Sequence, residues 1–242
     1  MSLSKNQFKL ITSLQQKKQR VKHNMFVAEG VKVVKELLAS SYKVVNLFVI
    51  DGYDGDFGVD NVNSISEADL KRISCLKSPN KVLGVFEIPE KTALISKGLI
   101  VALDDINDPG NLGTIIRLCD WFGVQQIMCS ENTVDCYNQK VVQATMGSMA
   151  RVRLRYTNLE MYLQNVNTPI FAADMNGDNV YKTRLPKEGV LVMGNEANGL
   201  SEGIRGIVQH KISIPRFGNL QQTESLNVAT ATAILLSEFK RF

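Results

Sequence analysis

Residues 99–124, "LIVALDDINDPGNLGTIIRLCDWFGV", determine how we interpret the second half of the chain. The apolar run "LIVALDDI" has the length and composition of a buried strand, and "NDPGNLGTIIRLCDWFGV" follows it directly. The second segment predicts a glycine-bearing loop that leads into a helix. Glycine lets the backbone turn sharply near a ligand, and the free N–H groups at a helix start bind anionic or carbonyl groups. This loop is therefore a candidate binding loop.

The rest of the second half repeats the same alternation of strand and helix. Apolar segments "LIVALDD", "QQIMCS", "RVRLRY", "PIFAADM", "VLVMGNE" and "HKISIP" are separated by stretches of helical composition. This pattern is typical of an α/β fold with a mostly parallel sheet covered on both faces. Ligands of such sheets bind beyond the carboxyl ends of the strands.

Two later strand ends resemble the first in composition. The loops "GNEANGLSEG" (194–203) and "PRFGNLQQTESLN" (215–227) combine glycine with small polar residues where a strand stops. The alternative for each single loop is that Gly and Asn only form turns and helix caps. The dinucleotide pattern GxGxxG and the P-loop pattern GxxxxGK[ST] are both absent, so a dinucleotide or P-loop nucleotide is poorly supported.

The first part of the chain predicts a smaller α/β domain. Its expected elements are a helix over 4–19, a strand running into a helix over 25–40, a strand over 44–50, a turn-rich segment over 51–61, a helix from Ser66 as N-cap, and a strand over 81–89. We place the boundary near residue 95, which gives domains 1–95 and 96–242.

Composition limits the class of protein. With 242 residues, 44% of them apolar, the chain is long enough to bury one sizeable core or two modest ones. No stretch reaches the roughly 18 to 20 apolar residues of a membrane span, and the N-terminus lacks the apolar block of a secretory signal, so we expect a cytoplasmic protein without a membrane partner. The four cysteines form no CxxC pair and only two histidines are present, so we expect neither a disulfide framework nor a metal.

Positive charge is concentrated at the N-terminus. Residues 1–24 hold six basic residues and no acidic one, although the whole chain carries only +4. One interpretation is a solvated amphipathic helix. The other is a phosphate-contacting face for RNA, with Lys17, Lys18, Arg20 and Lys22 as the candidate contacts.

Two charged residues stand out in the candidate loops. Arg117 should lie about one turn into the helix after "GNLG", where a cation is unfavourably close to the positive helix end unless an anion joins it. Glu196 follows a glycine just beyond a buried strand. We consider an Arg117–Glu196 pair across adjacent loops, or pairing of Arg117 with Asp104 or Asp105.

Taken together, three segments resemble the three motifs of the SpoU (TrmH-type) branch of the SPOUT RNA methyltransferases. These segments are "NLGTIIRLCDWFGV" (111–124), "VLVMGNEANGLS" (190–201) and "ISIPRFGNLQQTESLNVATATAI" (212–234). A weaker similarity covers "VDCYNQKVVQATMGS" (134–148). In the first part, "KKQRVKHNMFVAEGVKVVKELL" (17–38) and "CLKSPNKVLGVFEIP" (75–89) resemble the SpoU substrate-binding domain, a small RNA-binding module.

The resemblance implies a fold, a cofactor and a partner. The fold is a parallel sheet whose C-terminal segment forms a deep trefoil knot, which general topology rules would reject. The implied cofactor is S-adenosylmethionine, and the implied assembly is a homodimer with each site near the subunit interface. The implied reaction is methyl transfer to a ribose 2′-hydroxyl of RNA, with rRNA favoured over tRNA.

The resemblance also assigns residues. The reaction site would contain Asn111, Arg117, Glu196, Ser225 and Asn227. The cofactor would be bound, chiefly through backbone groups, by Gly194, Asn195, Ile214, Pro215 and Leu226.

Three departures from the family pattern are visible. Arg216 stands where the family usually has Met, so a charge at this point would reach either RNA or solvent. The loop over 216–224 is about three residues longer than usual. Gln143 replaces an Arg of the family, which affects either the RNA surface or the dimer surface.

The motifs contain no histidine, so the usual general base is missing. A guanidinium stays protonated in proteins, which argues against Arg117 as the base. We expect Arg117 to hold the phosphate beside the target ribose and stabilise developing alkoxide charge, with Glu196 and Asn111 orienting it. The alternatives are a catalytically silent RNA-binding protein on the same fold and a tRNA-specific enzyme; an oxidoreductase lacks its phosphate fingerprint.

Overall fold

Helix caps and buried apolar runs define the elements in the computed structural model, which describes residues 3–59, 62–95, 97–219 and 225–241. In these ranges the α-helices are α1 (Lys5–Ser13), α2 (Lys17–His23), α3 (Val31–Leu38), α4 (Glu67–Ile73), α5 (Pro109–Trp121), α6 (Gln139–Thr145), α7 (Leu159–Gln164), α8 (Glu202–Ile207) and α9 (Val228–Lys240). The strands are β1 (Met25–Glu29), β2 (Val44–Ile50), β3 (Val62–Ile65), β4 (Val82–Glu87), β5 (Leu99–Leu103), β6 (Gln126–Ser130), β7 (Arg153–Thr157), β8 (Ile170–Asn179), β9 (Gly189–Met193) and β10 (His210–Ser213).

The chain divides into two compact units that are discontinuous in sequence. The first comprises Met1–Lys91 and Asp135–Arg151, and the second comprises Thr92–Val134 and Val152–Phe242. The segment 135–151 therefore packs with the first unit, although we assigned it to the second domain from sequence. The division into functional domains at residue 95 stays a prediction.

The first unit contains a mixed sheet with the order β1-β4-β2-β3 among the described strands. β4 pairs antiparallel with β1 and β2, whereas β2 and β3 are parallel. Its core includes Ile11, Leu14, Val27, Phe48 and Leu83, which are buried between this sheet and the helices. The strand β3 lies outside our prediction, which assigned no element to residues 62–65, between the turn-rich segment and Ser66.

The helix predicted over 4–19 is broken in two. A capping box starts α1: Ser4 Oγ accepts from the Gln7 N–H at 3.2 Å, and Gln7 Oε1 accepts from the Ser4 N–H at 3.0 Å. The chain then leaves the helix after Ser13, and Arg20 Nη1 donates to the carbonyls of Leu14 and Gln15 at 2.9 and 2.8 Å. Arg20 thus satisfies acceptors that a continuous helix would have used itself.

The second unit contains the parallel sheet that the sequence predicts. Its order is β10-β8-β9-β5-β6-β7, and every recorded strand pair is parallel. β5 and β9 are buried along their whole length, as expected for central strands of a sheet covered on both faces. The prediction of an α/β fold with a mostly parallel sheet is confirmed.

The knot stays a prediction. Part of the longer loop that we noted, residues 220–224, lies outside the described residues. No helix in the described part of the chain is both long and apolar enough to cross a bilayer.

Candidate functional site

The three candidate loops all start at one edge of the parallel sheet. β5, β9 and β10 run in the same direction, so their carboxyl ends share an edge. β9 lies next to β5, and β8 separates β9 from β10. At about 4.8 Å between strands, the ends of β9 and β10 are roughly 10 Å apart.

The first loop is shorter than predicted, because α5 begins at Pro109. Asp108 is the N-cap and its Oδ1 accepts from the Asn111 N–H at 2.8 Å. Proline at the first helical position needs no N–H partner, and Asp before Pro was the signal that sequence reasoning missed. The glycines of "GNLG" therefore lie in the first turns of the helix and not in a loop.

Arg117 consequently lies deeper in α5 than we expected. It is the ninth residue of the helix, about 12 Å along the axis from Pro109, and not one turn from the start. The charge of a helix end acts within the first turn, so the argument that Arg117 requires an anion on this ground no longer holds.

A chain of hydrogen bonds links residues of all three motifs. Asn227 Oδ1 accepts from the backbone N–H groups of Ala229 and Thr230 at 3.0 and 3.2 Å. Asn227 Nδ2 donates to Asn111 Oδ1 at 2.9 Å, and Asn111 Nδ2 donates to Glu196 Oε1 at 2.6 Å.

The donor-to-acceptor direction of these hydrogen bonds is fixed. The start of α9 offers only N–H donors, so Asn227 must turn its oxygen toward the helix and its nitrogen toward Asn111. Asn111 must then present its oxygen to Asn227, which leaves its nitrogen for the Glu196 carboxylate. The helix start thus determines how both amides are oriented, and a Glu196 oxygen is the last acceptor.

Asn195 holds the second loop in place. Its Nδ2 donates to the Asp105 carbonyl at 2.7 Å, and its Oδ1 accepts from the N–H groups of Ala197 and Asn198. Its backbone N–H and C=O are both bonded to Gly199 at 2.9 Å. Asn195 thus positions the second loop. Its predicted contact with the cofactor stays a prediction.

Gly194 is required by a close backbone approach. A Cβ atom at this position would lie 2.5 Å from the Gly199 carbonyl carbon, which is a severe clash. Glycine at 194 therefore allows the chain to turn back tightly beside Glu196.

Asp104 is a structural residue that sequence reasoning did not single out as such. It is buried at the end of β5, and its Oδ2 accepts from the Ser201 N–H at 2.7 Å. The bond connects the first loop to the N-cap of α8. An acid directly after an apolar strand was the visible signal, but the partner is 97 residues away.

The predicted Arg117–Glu196 pair does not form. Glu196 bonds to Asn111 instead, and Arg117 is exposed, with no hydrogen bond or ion pair to any described residue, Asp104 and Asp105 included. At 100° per residue, Arg117 points about 120° around α5 from Asn111. The structure therefore brings Asn111, Glu196 and Asn227 together, while Arg117 lies on a neighbouring face of the same helix.

The remaining predicted residues lie in the third segment. Ile214 and Pro215 are half-buried immediately after β10, whereas Ser225 and Leu226 are exposed just before Asn227. Ser225 and Leu226 form no hydrogen bond to any other described residue.

In the first unit, the N-terminal basic residues separate into two kinds. Lys17, Lys18 and Lys22 are exposed. Arg20 is 2% exposed, and its Nε and Nη2 donate to Asp135 Oδ2 at 2.9 and 2.6 Å. Four of its five guanidinium N–H groups donate to Asp135, Leu14 and Gln15. Because the side chain is also buried, we correct its assignment: Arg20 is a structural residue and not an RNA contact.

Metal-binding groups are also absent from the part of the chain that the structure describes: no cluster of three or more His, Cys, Asp or Glu side chains could hold an ion.

The fold and this site define a class of protein: a parallel α/β protein with a polar site built from three strand-end motifs at the carboxyl edge. The profile of the SpoU rRNA Methylase family matches residues 98–237, and that of the MRM3-like substrate binding domain matches residues 5–84. The chain belongs to the SpoU rRNA methylase family and carries this substrate-binding domain at its N-terminus. The resemblance recognised from the motifs is confirmed.

Individual proteins resemble the chain over nearly its whole length. The 23S rRNA (guanosine(2553)-2′-O)-methyltransferase RlmP of Bacillus subtilis (strain 168) is 28% identical, over 92% of this chain and 91% of its own. A solved TrmH-family structure from Porphyromonas gingivalis is 34% identical with a TM-score of 0.87, over 99% of this chain and 98% of its own. The AdoMet-bound rRNA methyltransferase from Sinorhizobium meliloti is 29% identical with a TM-score of 0.85, over 100% and 97%.

Proposed function

We propose that this protein methylates a ribose 2′-hydroxyl of ribosomal RNA and takes the methyl group from S-adenosylmethionine. The observation that carries the proposal is the hydrogen-bond chain from Asn227 through Asn111 to Glu196, because it joins one residue of each motif at the carboxyl edge. Membership of the SpoU family and relatives named as 23S rRNA 2′-O-methyltransferases support the reaction and the substrate.

The third segment fits S-adenosylmethionine by its donor groups. Ser225 and Leu226 offer backbone groups that bond to no other described residue, and the Ile214, Pro215 and Leu226 side chains offer apolar surface on the same segment. Gly194 keeps the neighbouring loop compact. When bound, S-adenosylmethionine supplies an electrophilic methyl group.

The chain's own residues would position the ribose. Glu196 uses Oε1 for Asn111, so the carboxylate keeps capacity to accept a hydrogen bond from a ribose hydroxyl. Asn111 and Asn227 fix the direction of that carboxylate, and Ser225 provides a hydroxyl on the same segment. Positioning of this kind lowers a barrier by roughly 7 to 11 kcal/mol at best.

Arg117 would act on the RNA directly. Since no described residue occupies its guanidinium, it is available for a bidentate bond to the phosphate beside the target ribose. A fixed positive charge there would also stabilise an oxyanion that develops on the 2′-oxygen. Glu196 and Asn111 would then orient the ribose and not, as we first expected, Arg117.

The first 95 residues would bind RNA and residues 96–242 would carry the reaction and the knot. Within the first part, Lys17, Lys18 and Lys22 present positive charge to solvent. We further propose a homodimer and a cytoplasmic location, where ribosomal RNA is found.

The test is methylation of defined RNA. Purified protein is incubated with methyl-tritiated S-adenosylmethionine and either 23S rRNA or total tRNA from cells that lack the gene, and the modified nucleotide is mapped by resistance of the 2′-O-methylated bond to alkali. Incorporation into a ribose of 23S rRNA is expected. Incorporation only into tRNA would show that the substrate is tRNA and not rRNA. RNA binding without methyl incorporation at millimolar S-adenosylmethionine would indicate a catalytically silent RNA-binding protein.

A further inference from the structure

Three large apolar side chains, one of them in the third motif, are exposed near one another. Phe217 is 81% exposed, Met175 is 63% exposed and Tyr181 is 38% exposed. The Phe217 and Tyr181 ring centroids are 6.4 Å apart with an interplanar angle of 33°. We call Met175, Tyr181, Arg216 and Phe217 the aromatic platform.

A cation is part of the platform. Arg216 Nη2 lies 3.1 Å from the Met175 sulfur, so the guanidinium lies against the side chain that borders the rings. Arg216 is exposed and directly precedes Phe217 in the chain. It stands at the position where the resemblance leads us to expect a methionine, so the charge is a feature of this chain and not of the family pattern.

The backbone beneath the platform is well fixed. Asn179 at the end of β8 pairs with Ser213 at the end of β10. Asn179 Oδ1 accepts from the Tyr181 N–H at 3.0 Å, and Ser213 Oγ donates to the Gly177 carbonyl at 2.8 Å. Tyr181 therefore lies two residues, and Phe217 four residues, beyond an anchored strand end.

Gly177 explains how Met175 reaches the surface. A Cβ at 177 would lie 2.5 Å from the Lys211 carbonyl carbon, so β8 passes unusually close to β10 at this point. The pairing register of the two strands shifts between Lys211 and Ile212, and the residues of β8 around 175 leave the ladder. Met175 is thus held outward by the backbone.

The platform belongs to the proposed catalytic edge. β8 and β10 end at the same edge as β9, about 5 to 10 Å away by strand spacing, and Gly194 and Glu196 follow β9. Ile214 and Pro215, assigned to the methyl donor, connect β10 to Arg216.

Exposed aromatic rings beside a guanidinium are the combination that binds unpaired nucleic acid, because bases stack on rings and phosphates pair with Arg. We propose that the aromatic platform stacks an unpaired base of the RNA substrate next to the ribose to be methylated, with Arg216 bound to the adjoining phosphate. The inference rests on the proposed function, since it names how that RNA is recognised.

The experiment measures RNA binding and donor binding separately on the full chain. The probe is a single-stranded dodecaribonucleotide with one central 2-aminopurine, whose fluorescence reports stacking on a ring. The variants are Phe217→Ala, Phe217→Tyr, which keeps a ring, and Arg216→Met. Met161→Ala is the matched control, because Met161 is an exposed apolar residue on α7 outside the platform.

Phe217→Ala is expected to weaken RNA binding roughly 5- to 150-fold and to abolish the 2-aminopurine signal, while Phe217→Tyr restores both. Arg216→Met is expected to weaken binding and to reduce its salt dependence by about one phosphate contact. Met161→Ala should bind RNA like the wild type, and calorimetric titration should give an unchanged affinity for S-adenosylmethionine in all variants.

The inference is overturned if Phe217→Ala binds the oligonucleotide with wild-type affinity, or if it loses affinity for S-adenosylmethionine and not for RNA. Failure of the proposed function has a different signature: the wild type itself would not methylate 23S rRNA. If the wild type and Phe217→Ala methylate 23S rRNA equally well, the proposed function stands and the role of the aromatic platform is excluded.

Discussion

Asn111 and Glu196 are 85 residues apart in sequence, yet Asn111 Nδ2 donates to Glu196 Oε1 at 2.6 Å. Asn111 is in the first turn of α5, and Glu196 follows β9, the strand next to β5. Because Asn227 determines the orientation of the Asn111 amide, the polarity of this bond is set by the start of α9. Together with the Asn227–Asn111 bond, this hydrogen bond joins residues of the three motifs in one site.

Replacing Asn111 by Asp should convert this bond into a repulsion. Asn227 can still donate to one Asp oxygen, but the other oxygen then faces the Glu196 carboxylate. We expect kcat/KM for RNA methylation to fall about 10- to 150-fold at pH 7.5, from the loss of a charge-assisted bond of roughly 1.5–3 kcal/mol. Activity relative to wild type should rise as pH falls toward 5, because one proton shared by the two carboxyl groups removes the repulsion.

The measurement is a pH profile of kcat/KM for Asn111→Asp against the wild type. Asn132→Asp is the control, since Asn132 is exposed and its side chain takes no part in the site. If kcat/KM of Asn111→Asp and of the wild type changed with pH in the same way, the assignment of Asn111 as the donor to Glu196 would be contradicted.

Arg117→Lys should separate catalysis from folding. Arg117 is exposed and bonds to no described residue, so the free energy of unfolding should change by less than about 0.5 kcal/mol. If the fork holds a phosphate and stabilises developing charge, kcat should fall about 10²- to 10³-fold while the affinity for S-adenosylmethionine is unchanged. Single-turnover methylation and urea unfolding test this together, and near-normal methylation by the Lys variant would exclude a bidentate role.

The parallel sheet could be predicted from the sequence because a buried strand appears as a local run of apolar residues. β5 and β9 are continuous apolar runs, which are typical of strands covered on both faces. β3 has no such apolar run: in "VNSI" only one residue, Ile65, is buried. The start of α5 was misjudged because glycines suggested a loop, while Asp108 as cap and Pro109 at the first position were the stronger signal.

Contacts between side chains that are distant in sequence could not be predicted from the sequence. Glu196 was expected to meet Arg117 because opposite charges on neighbouring loops suggest a pair, but the direction of a side chain on a helix decides the partner. Arg20 looked like the lysines around it, although its partner Asp135 is 115 residues away. The segment 135–151 likewise joins the first unit through contacts that periodicity cannot reveal.

Arg20 and its neighbouring lysines should respond oppositely to mutation. Arg20→Ala leaves Asp135 without its buried partner and should lower the free energy of unfolding by about 3–5 kcal/mol. The triple change Lys17→Ala, Lys18→Ala and Lys22→Ala should leave stability within about 1 kcal/mol of wild type, but weaken RNA binding and flatten its salt dependence. Urea unfolding and fluorescence anisotropy with labelled RNA at several salt concentrations distinguish the two. A stable Arg20→Ala protein with weakened RNA binding would restore Arg20 as an RNA contact.

Trp121 should report on the proposed homodimer. It lies one turn beyond Arg117 on α5 and is 85% exposed, which is unusual for a large aromatic side chain unless a partner covers it. Trp121→Glu should shift the mass measured by light scattering from dimer toward monomer, while thermal unfolding at high dilution stays similar. Leu94→Glu, at another exposed apolar position, should leave the mass unchanged. A dimeric Trp121→Glu protein would exclude this helix face as the interface.

Glu29 should make the stability of the first unit pH-dependent. Its carboxylate accepts from Ser74 Oγ and from the Cys75 N–H at 2.9 Å, but burial raises the pKa of Glu29 above the usual 4.5. The folded state therefore favours the protonated carboxyl group, and the stability that this group contributes is full below pH 4.5 and is lost as pH rises through the raised folded pKa.

Glu29→Gln keeps an acceptor for the Cys75 N–H and removes the charge. In urea unfolding between pH 4 and 8, the stability of the wild type relative to this variant should decline with rising pH and level off above the folded pKa of Glu29. Glu67→Gln serves as the control, because Glu67 is exposed and should give a nearly constant difference over the same range. If the wild type instead gained stability over Glu29→Gln as pH rises, the bonds to Ser74 and Cys75 would outweigh the cost of burying the charge.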